Sequence, residues 1–282
     1  MPKGWTWDET LYRGSAPFYV RGRLPYAAGL ADRLAEVLAL DERGRLIDVG
    51  CGPGVLALRL ADRFAEVVGV DPDAGMLAEA ARRADAAGIG NARWVRMRAE
   101  ELPAGLGTFQ VATFGQSFHW MDREQVAAIV YGLLEPGGAF VHVSDVKDVS
   151  DTTGDELPHP SPPYAAMQDL VRRYLGPVPR AGQGELRYGT PDGEAAVLDG
   201  AGFVDFTRLR VPAGDVLIRT ADDVVAWVFS RSVSAPHLFG DRLGAFEAEL
   251  RQGLRDASPL NLFAERAPDT EVFLWRKPDD RR

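Results

Sequence analysis

The sequence predicts an α/β fold: a mostly parallel sheet with helices over both faces. Two observations carry this. Stretches of strand and helix character alternate through residues 1–145, which implies right-handed crossovers in a parallel sheet. The first strand also runs straight into three alternate glycines with a helix behind them, and ligands bind at such carboxyl edges of open α/β sheets.

The elements follow in order. Residues 26–40 have amphipathic helix spacing, with Leu30, Leu34, Val37 and Leu38 on one side. Residues 45–49 form a short apolar strand that ends at Gly50, and 54–64 read as a helix. A second strand spans 66–70, and a helix over 73–87 turns Met76, Leu77 and Ala80 inward. Strands over 92–97 and 109–114 precede a helix over 123–134 that Pro136-Gly137-Gly138 stops. A fifth strand spans 139–144. The pattern then breaks. Residues 147–188 are rich in Pro, Gly and Asp and read as an insertion with one helix over 164–175. Regular structure resumes with helices over 192–200, 221–230 and 242–255, and strands over 204–211 and 271–276. The expected organisation is one domain: an N-terminal lid over 1–25, a ligand-binding core over 26–145, and insertion, last strands and helical lid over 146–282.

Composition narrows the function. Of 282 residues, 46% are hydrophobic and 26% charged, ordinary values for a globular chain. A net charge of −9 argues against a protein built to grip a phosphate backbone. Cys51 is the single cysteine, and His119, His142, His159 and His237 show no metal-ligand spacing, so no metal site is expected. The first residues lack an apolar export core and no apolar run is long enough for a bilayer. A cytoplasmic protein without nucleic-acid or membrane partners is expected.

The segment Leu46-Ile47-Asp48-Val49-Gly50-Cys51-Gly52-Pro53-Gly54 is the most informative. Glycine lets the backbone turn sharply and lets a ligand approach where a Cβ would clash. Asp71 ends the next strand, 21 positions after Gly50, where an acid can accept both ribose hydroxyls of a nucleoside. The glycine spacing differs from the G-x-G-x-x-G of dinucleotide sites, whose helix N-terminus receives a pyrophosphate. A carboxylate inside the turn, Asp48, would repel a pyrophosphate but suits a cationic amino-acid tail. Those features favour S-adenosylmethionine (SAM) over NAD.

With LIDVGCGPG at 46–54, VVGVD at 67–71, RAEELP at 98–103, VATFGQSFHWMD at 111–122 and LLEPGGAFVHV at 133–143, the chain resembles the class I SAM-dependent methyltransferases, particularly the methyltransferase-11-like small-molecule group. The match covers about residues 17–145. It implies a Rossmann-like seven-stranded sheet of order 3-2-1-4-5-7-6 with the last strand antiparallel. It further implies that Asp48 orders the loop or accepts from the methionine ammonium, and that Gly50 and Gly52 contact the methionine half. Asp71 would hold the ribose, Pro72 and Met76 would flank the adenine, and Ala99 and Glu100 would address its edge. Gln116 would sit beside the methionine. One departure stands out: many relatives carry an acid where this chain has Arg98. In the segment before the first helix, Tyr19 and Arg23 are the residues expected to close over the SAM carboxylate, since arginine matches a carboxylate with a bidentate fork.

Methyl transfer from a sulfonium is a direct displacement that needs alignment and exclusion of water, and a base only where the acceptor must lose a proton. His119, just past the fourth strand, is the candidate catalytic base; Trp120 would wall the methionine half or the acceptor. Tyr12, Asp8 and Glu9 are weaker candidates. Enzymes that methylate nucleobase or amide nitrogens usually carry Asn/Asp-Pro-Pro-Tyr after the fourth strand, where this chain has Gly115-Gln116-Ser117-Phe118. Aromatic residues outside the core (Trp5, Trp7, Phe18, Tyr19, Trp227, Phe229, Phe239, Phe263) favour an apolar or aromatic small-molecule acceptor, as in secondary-metabolite tailoring. S-adenosylhomocysteine (SAH) would be the product. The alternatives are an NAD(P)-dependent oxidoreductase and a non-catalytic SAM-fold binding protein.

Overall fold

A computed structural model describes residues 2–145, 157–188 and 193–279. The chain begins with α1 (Ala16–Gly22) and α2 (Leu30–Leu38). It then alternates β1 (Arg45–Val49), α3 (Val55–Leu60), β2 (Glu66–Asp71), α4 (Ala74–Ala87), β3 (Ala92–Arg96), β4 (Phe109–Gly115), α5 (Arg123–Leu133) and β5 (Leu134–Asp145). Beyond these come α6 (Tyr164–Leu175), a hairpin of β6 (Arg180–Ala181) and β7 (Gly184–Glu185), α7 (Glu194–Gly200) and β8 (Val204–Val211). The remainder is β9 (Val216–Thr220), α8 (Ala221–Phe229), α9 (Leu243–Ala257), β10 (Leu262–Arg266) and β11 (Thr270–Arg276).

Seven strands form one sheet in the order β3-β2-β1-β4-β5-β11-β8. The first five pair in parallel, and β11 runs antiparallel to both β5 and β8. This is the expected 3-2-1-4-5-7-6 order, with β8 and β11 as the sixth and seventh strands. Side chains on a strand alternate between faces, and here both faces are covered. Ile47, Val68, Ala112 and Phe140 enter a core under α5, while their neighbours Leu46, Val67, Val111 and Val141 enter one with α2 and α3. Burial on both sides explains why these strands read as near-continuous apolar runs.

Two boundaries differ from the sequence reading. The helix expected over 26–40 begins only at Leu30. Ahead of it, the Ala27 amide donates to Thr270 Oγ1 at 2.8 Å, tying this stretch to β11. Pro136-Gly137-Gly138 does not separate helix from strand. α5 passes directly into β5 at Leu134, and these residues form its irregular start, with Gly137 at φ 74°.

In the insertion expected over 147–188, residues 147–156 lie outside the described residues, as does Asp192 at the expected helix start. The described remainder does not stand alone. Met167 and Leu170 of α6 share a core with Val224, Val228 and Phe229 of α8, Phe246 and Leu250 of α9, and Phe263 of β10. Phe229, Phe239 and Phe263, read from the sequence as lid aromatics, are thus the packed interior of this helical unit. β9 and β10 close its base as an antiparallel pair. The N-terminal helix docks on it. A Cβ at Gly22 would fall 2.3 Å from the Ala226 carbonyl oxygen, so only glycine permits that approach. Arg219, buried, pairs with Glu265 at 2.7 Å and donates to the Gly22 and Asp223 carbonyls, both at 2.8 Å. Residues from either end of the chain therefore meet over the carboxyl edge of the sheet.

Candidate functional site

The loop after β1 has φ of 68°, 52° and 69° at Gly50, Gly52 and Gly54, a region that side chains with a Cβ enter at a cost. Their surroundings differ. A Cβ at Gly50 would fall 2.5 Å from that of Ser117, and one at Gly54 would fall 2.7 Å from the Trp94 ring. At Gly52 a Cβ would meet nothing within 4 Å. Gly50 and Gly54 serve packing, while Gly52 borders open space in a cleft.

Asp48 and Asp71 are both held by the fold, in different ways. Asp48 is buried; its Oδ2 accepts from the Ala57 amide at 3.1 Å and its Oδ1 from Thr113 Oγ1 at 2.9 Å. It ties β1 to α3 and β4, and burial pushes its pKa up to about 7. Asp71 Oδ2 accepts from the Gly52 amide and Oδ1 from the Asp73 amide, each at 2.9 Å. Burial raises its pKa to about 6. The cap of α4 is Asp73, which accepts from the Met76 amide at 3.0 Å, so Asp71 is not spent on capping. Each of its oxygens keeps lone-pair capacity on the cleft side.

Two cavities adjoin at this edge. Asp71, Pro72, Met76, Ala99, Glu100 and Trp120 line the first; Arg23 and Asp48 line the second; Tyr19, Gly50, Gly52 and Gln116 line both. They form one cleft, and it gathers every residue singled out for the cofactor. Trp7, Glu9 and Tyr12 of the N-terminal segment also line it. Asp8 does not. It accepts from the Thr10 and Gln183 amides and so ties this segment to the β6–β7 hairpin. Nor does His119 line either cavity; its ring lies tilted against that of Trp120, with centroids 4.7 Å apart. Position past the fourth strand was its only credential as a base, and the turn over 118–120 presents Trp120 to the cleft instead.

Among the described residues the cleft contains polar groups with no protein partner. Arg23 lies against the Tyr19 ring at 4.9 Å and donates through Nη2 to the Ser230 carbonyl at 3.0 Å, yet its buried Nε has no acceptor. Asp145, the last residue of β5, accepts from Gln116 Nε2 at 2.8 Å through Oδ2, while its Oδ1 is buried without a donor. Trp120 Nε1 is likewise unpaired. Buried polar groups are ordinarily paired, so these mark where a ligand completes the structure. A guanidinium and a carboxylate at one end suit an amino-acid zwitterion, and Asp71 at the other suits a ribose diol. The open space at Gly52 gives the ligand a backbone to lie on. SAM fits this set.

The sequence reading missed Asp145; it had Trp7 only among the aromatics for the acceptor and Arg98 only as a departure from relatives. Asp145 was findable as the last residue of β5, at the edge where Gly50 and Asp71 also lie. Arg98, the departure from relatives, spans Trp7 and Glu100: its guanidinium lies 5.1 Å from the Trp7 ring centroid and 3.2 Å from Glu100 Oε2. Glu100 Oε1 in turn accepts from the Asp122 amide at 2.9 Å. The chain therefore uses this acid to hold α5 and the Arg98–Trp7 cover. Among the described residues no group of His, Cys, Asp and Glu is placed to hold a metal ion, and no helix is long and apolar enough to cross a membrane.

Comparison with known proteins agrees with this geometry. A methyltransferase domain family matches residues 46–138, from β1 into β5. An uncharacterized methyltransferase of Mycobacterium tuberculosis is 33% identical over 144 residues, 50% of this chain and 55% of that protein. The chain thus spans little more than half the length of that relative. A malonyl-acyl-carrier-protein O-methyltransferase of Geobacter sulfurreducens is 33% identical over 205 residues, 69% of this chain and 68% of that protein. Among solved structures, the 4+2 cyclase SpnF superposes with a TM-score of 0.51 over 91% of this chain and 87% of its own, at 23% identity. That likeness concerns the fold, which does not dictate chemistry. The glycine loop, Asp71 and the sheet order, with the identity to the Geobacter protein across two thirds of both chains, lead to one conclusion: this chain belongs to the class I SAM-dependent methyltransferase family.

Proposed function

We propose that this chain transfers a methyl group from SAM to an O, N or C atom of a small, largely apolar or aromatic molecule. The observation that carries this reading is the pairing, in one cleft, of Asp71 beside open Gly52 with the partnerless Arg23 Nε and Asp145 Oδ1. When bound, SAM supplies an electrophilic methyl on a sulfonium whose departure needs no acid. The chain's own residues then bind, orient and exclude water. Asp71 would accept the ribose hydroxyls, Arg23 the carboxylate and Asp145 the ammonium. Pro72, Met76 and the Ala99 backbone would enclose the adenine. Trp7, Tyr12 and Trp120 line the same cleft, and such walls shed water and favour a planar or apolar acceptor. Alignment alone contributes up to roughly 7–11 kcal/mol to reactions of this kind.

Calorimetric titration with SAH and, separately, with NADH tests the cofactor assignment. Binding of SAH alone supports it; binding of NADH in preference removes it. A radiolabelled methyl donor offered with a metabolite panel then reads transfer directly.

A further inference from the structure

Outside the cofactor cleft, α6, the β6 segment and α8 line a further cavity of about 200 Å³. Its wall holds three arginines, Arg172, Arg180 and Arg231, and no acidic residue. In a chain of net charge −9, that concentration of one sign is unexpected for a merely solvated surface. Arg172 is accounted for, since Asp169 lies 2.5 Å from it on an exposed helix face. Arg231 is not. It sits half-buried just past the end of α8, with its guanidinium 4.6 Å from the Trp227 ring centroid. Among the described residues no hydrogen-bond acceptor meets that guanidinium. Stacking uses one face of the plane and leaves its edge N–H groups to bind something else.

The neighbouring charges sharpen the point. Burial first, and then the like charge of Arg23, pull the Arg231 pKa below the usual arginine range. The Asp145 carboxylate offsets the charge of Arg23, whereas among the described residues no carboxylate acts on Arg231. Ser230, next in sequence to Arg231, is the residue whose carbonyl holds Arg23. The arginine-lined cavity therefore abuts the cleft at the end where Arg23 stands.

We propose that Arg231, stacked on Trp227, is the recognition site for an anionic group, carboxylate or phosphate, on the methyl acceptor. This rests on the methyltransferase reading of the adjoining cleft and gives its acceptor a chemical class: an organic anion whose charged end lies in the arginine-lined cavity. Arg23 serves the cofactor carboxylate and Arg231 the acceptor, so one positive region orients two anions without either competing for the other's partner. Arg180, also on the wall, adds to the field.

The test uses the full chain saturated with SAH. Benzoate, phenyl phosphate and neutral benzamide are titrated while ligand-observed NMR and Trp fluorescence are followed. Benzoate or phenyl phosphate should bind at least tenfold more tightly than benzamide, and the tighter of the two identifies the anion. Arg231→Gln should abolish that preference with SAH affinity unchanged within about twofold. Arg180→Gln, the second variant, should weaken anion binding threefold or more if Arg231→Gln does not fold. Benzamide binding as tightly as benzoate, or an undiminished preference in Arg231→Gln, overturns the proposal. Failure of wild-type protein to bind SAH overturns the cofactor reading separately, since the titrations are then repeated without SAH and still report on the arginine cavity.

Discussion

Asp71 accepts the Gly52 amide proton across 2.9 Å, so the acid proposed for the ribose also fixes the loop residue that would lie beneath the cofactor. A charged acceptor of this kind is worth about 1.5–3 kcal/mol. Asp71→Ala should therefore weaken SAH binding roughly tenfold or more. Because burial raises the Asp71 pKa to about 6, the acceptor is lost as pH falls through that value. SAH affinity should drop below about pH 6 in the wild type, and Asp71→Asn should flatten that dependence. A wild-type affinity that is level from pH 5 to 8 would remove Asp71 from the ribose.

The glycines should separate packing from binding. Gly50→Ala drives a Cβ to 2.5 Å from Ser117 at a positive φ, and overpacking of this kind costs about 1–3 kcal/mol. Its melting temperature should fall by several degrees. Gly52→Val shares the positive φ, but the Cβ it adds meets no protein atom within 4 Å. It should melt closer to wild type than Gly50→Ala and still lose SAH. Scanning calorimetry with and without SAH distinguishes the two, and equal melting losses with SAH binding retained in Gly52→Val would contradict the cradle.

The fold and half of the cleft were legible in the sequence because their signals are local. Leu46–Val49 and Val67–Val70 are buried on both faces, so their apolar runs announce central parallel strands, and Gly50 to Asp71 is a single strand-helix-strand unit. The helical unit was less legible. Its hydrophobics, Met167, Val228, Phe246 and Phe263, converge from segments nearly a hundred residues apart, and no local spacing distinguishes such a core from lid residues facing a ligand. Arg23 carried a motif-level hint, whereas Arg231 carried none: its meaning comes from Trp227, Arg23 and the lack of an acceptor, none of which periodicity encodes. His119 is the opposite case. A residue type suited to proton transfer stood at the right strand end, but the short turn over 118–120 sends its neighbour Trp120 into the cleft.

Arg23 is expected to act on the amino-acid end of the cofactor alone. Arg23→Gln removes the charge opposite the carboxylate and should weaken SAH roughly tenfold or more, as expected for a charge-assisted bond. Adenosine lacks that end, so its affinity should stay within about twofold. Parallel titrations with the two ligands give the answer, and equal losses would make Arg23 a general packing residue of the Tyr19 contact.

Asp48 should govern the pH dependence of stability in the protein without ligand. Its folded pKa is about 7 through burial, against about 3.9 for an unfolded aspartate. Between these values the folded state holds the extra proton, so stability falls as pH rises. The contribution is complete below about pH 4 and lost as pH passes about 7. The raised Asp71 acts in the same direction. Asp48→Asn can keep its contacts with Ala57 and Thr113 and should shallow the decline. Urea unfolding from pH 4.5 to 8 measures this, and a wild-type stability that climbs across that range would show that Asp48 ionises in the fold at low cost.

His119 gives the sharpest division between two roles. A general base typically contributes 10²- to 10⁴-fold and must come within hydrogen-bond reach of the acceptor. His119 does not line the cleft and reaches it through the Trp120 ring. His119→Ala should therefore lower kcat by no more than about tenfold, with SAH affinity nearly unchanged. Trp120→Ala, which opens the cleft wall, should cost more in KM for the acceptor. The pH profile of kcat should not lose a limb near pH 6.5 in His119→Ala, since no proton transfer through that imidazole is expected. Loss of a hundredfold or more in kcat together with that limb would restore His119 as the base. It would also imply that the 118–120 turn rearranges when both substrates are bound. The same pair of variants thus reports on the acceptor: if positioning suffices without His119, the nucleophile reaches the cleft already deprotonated or neutral.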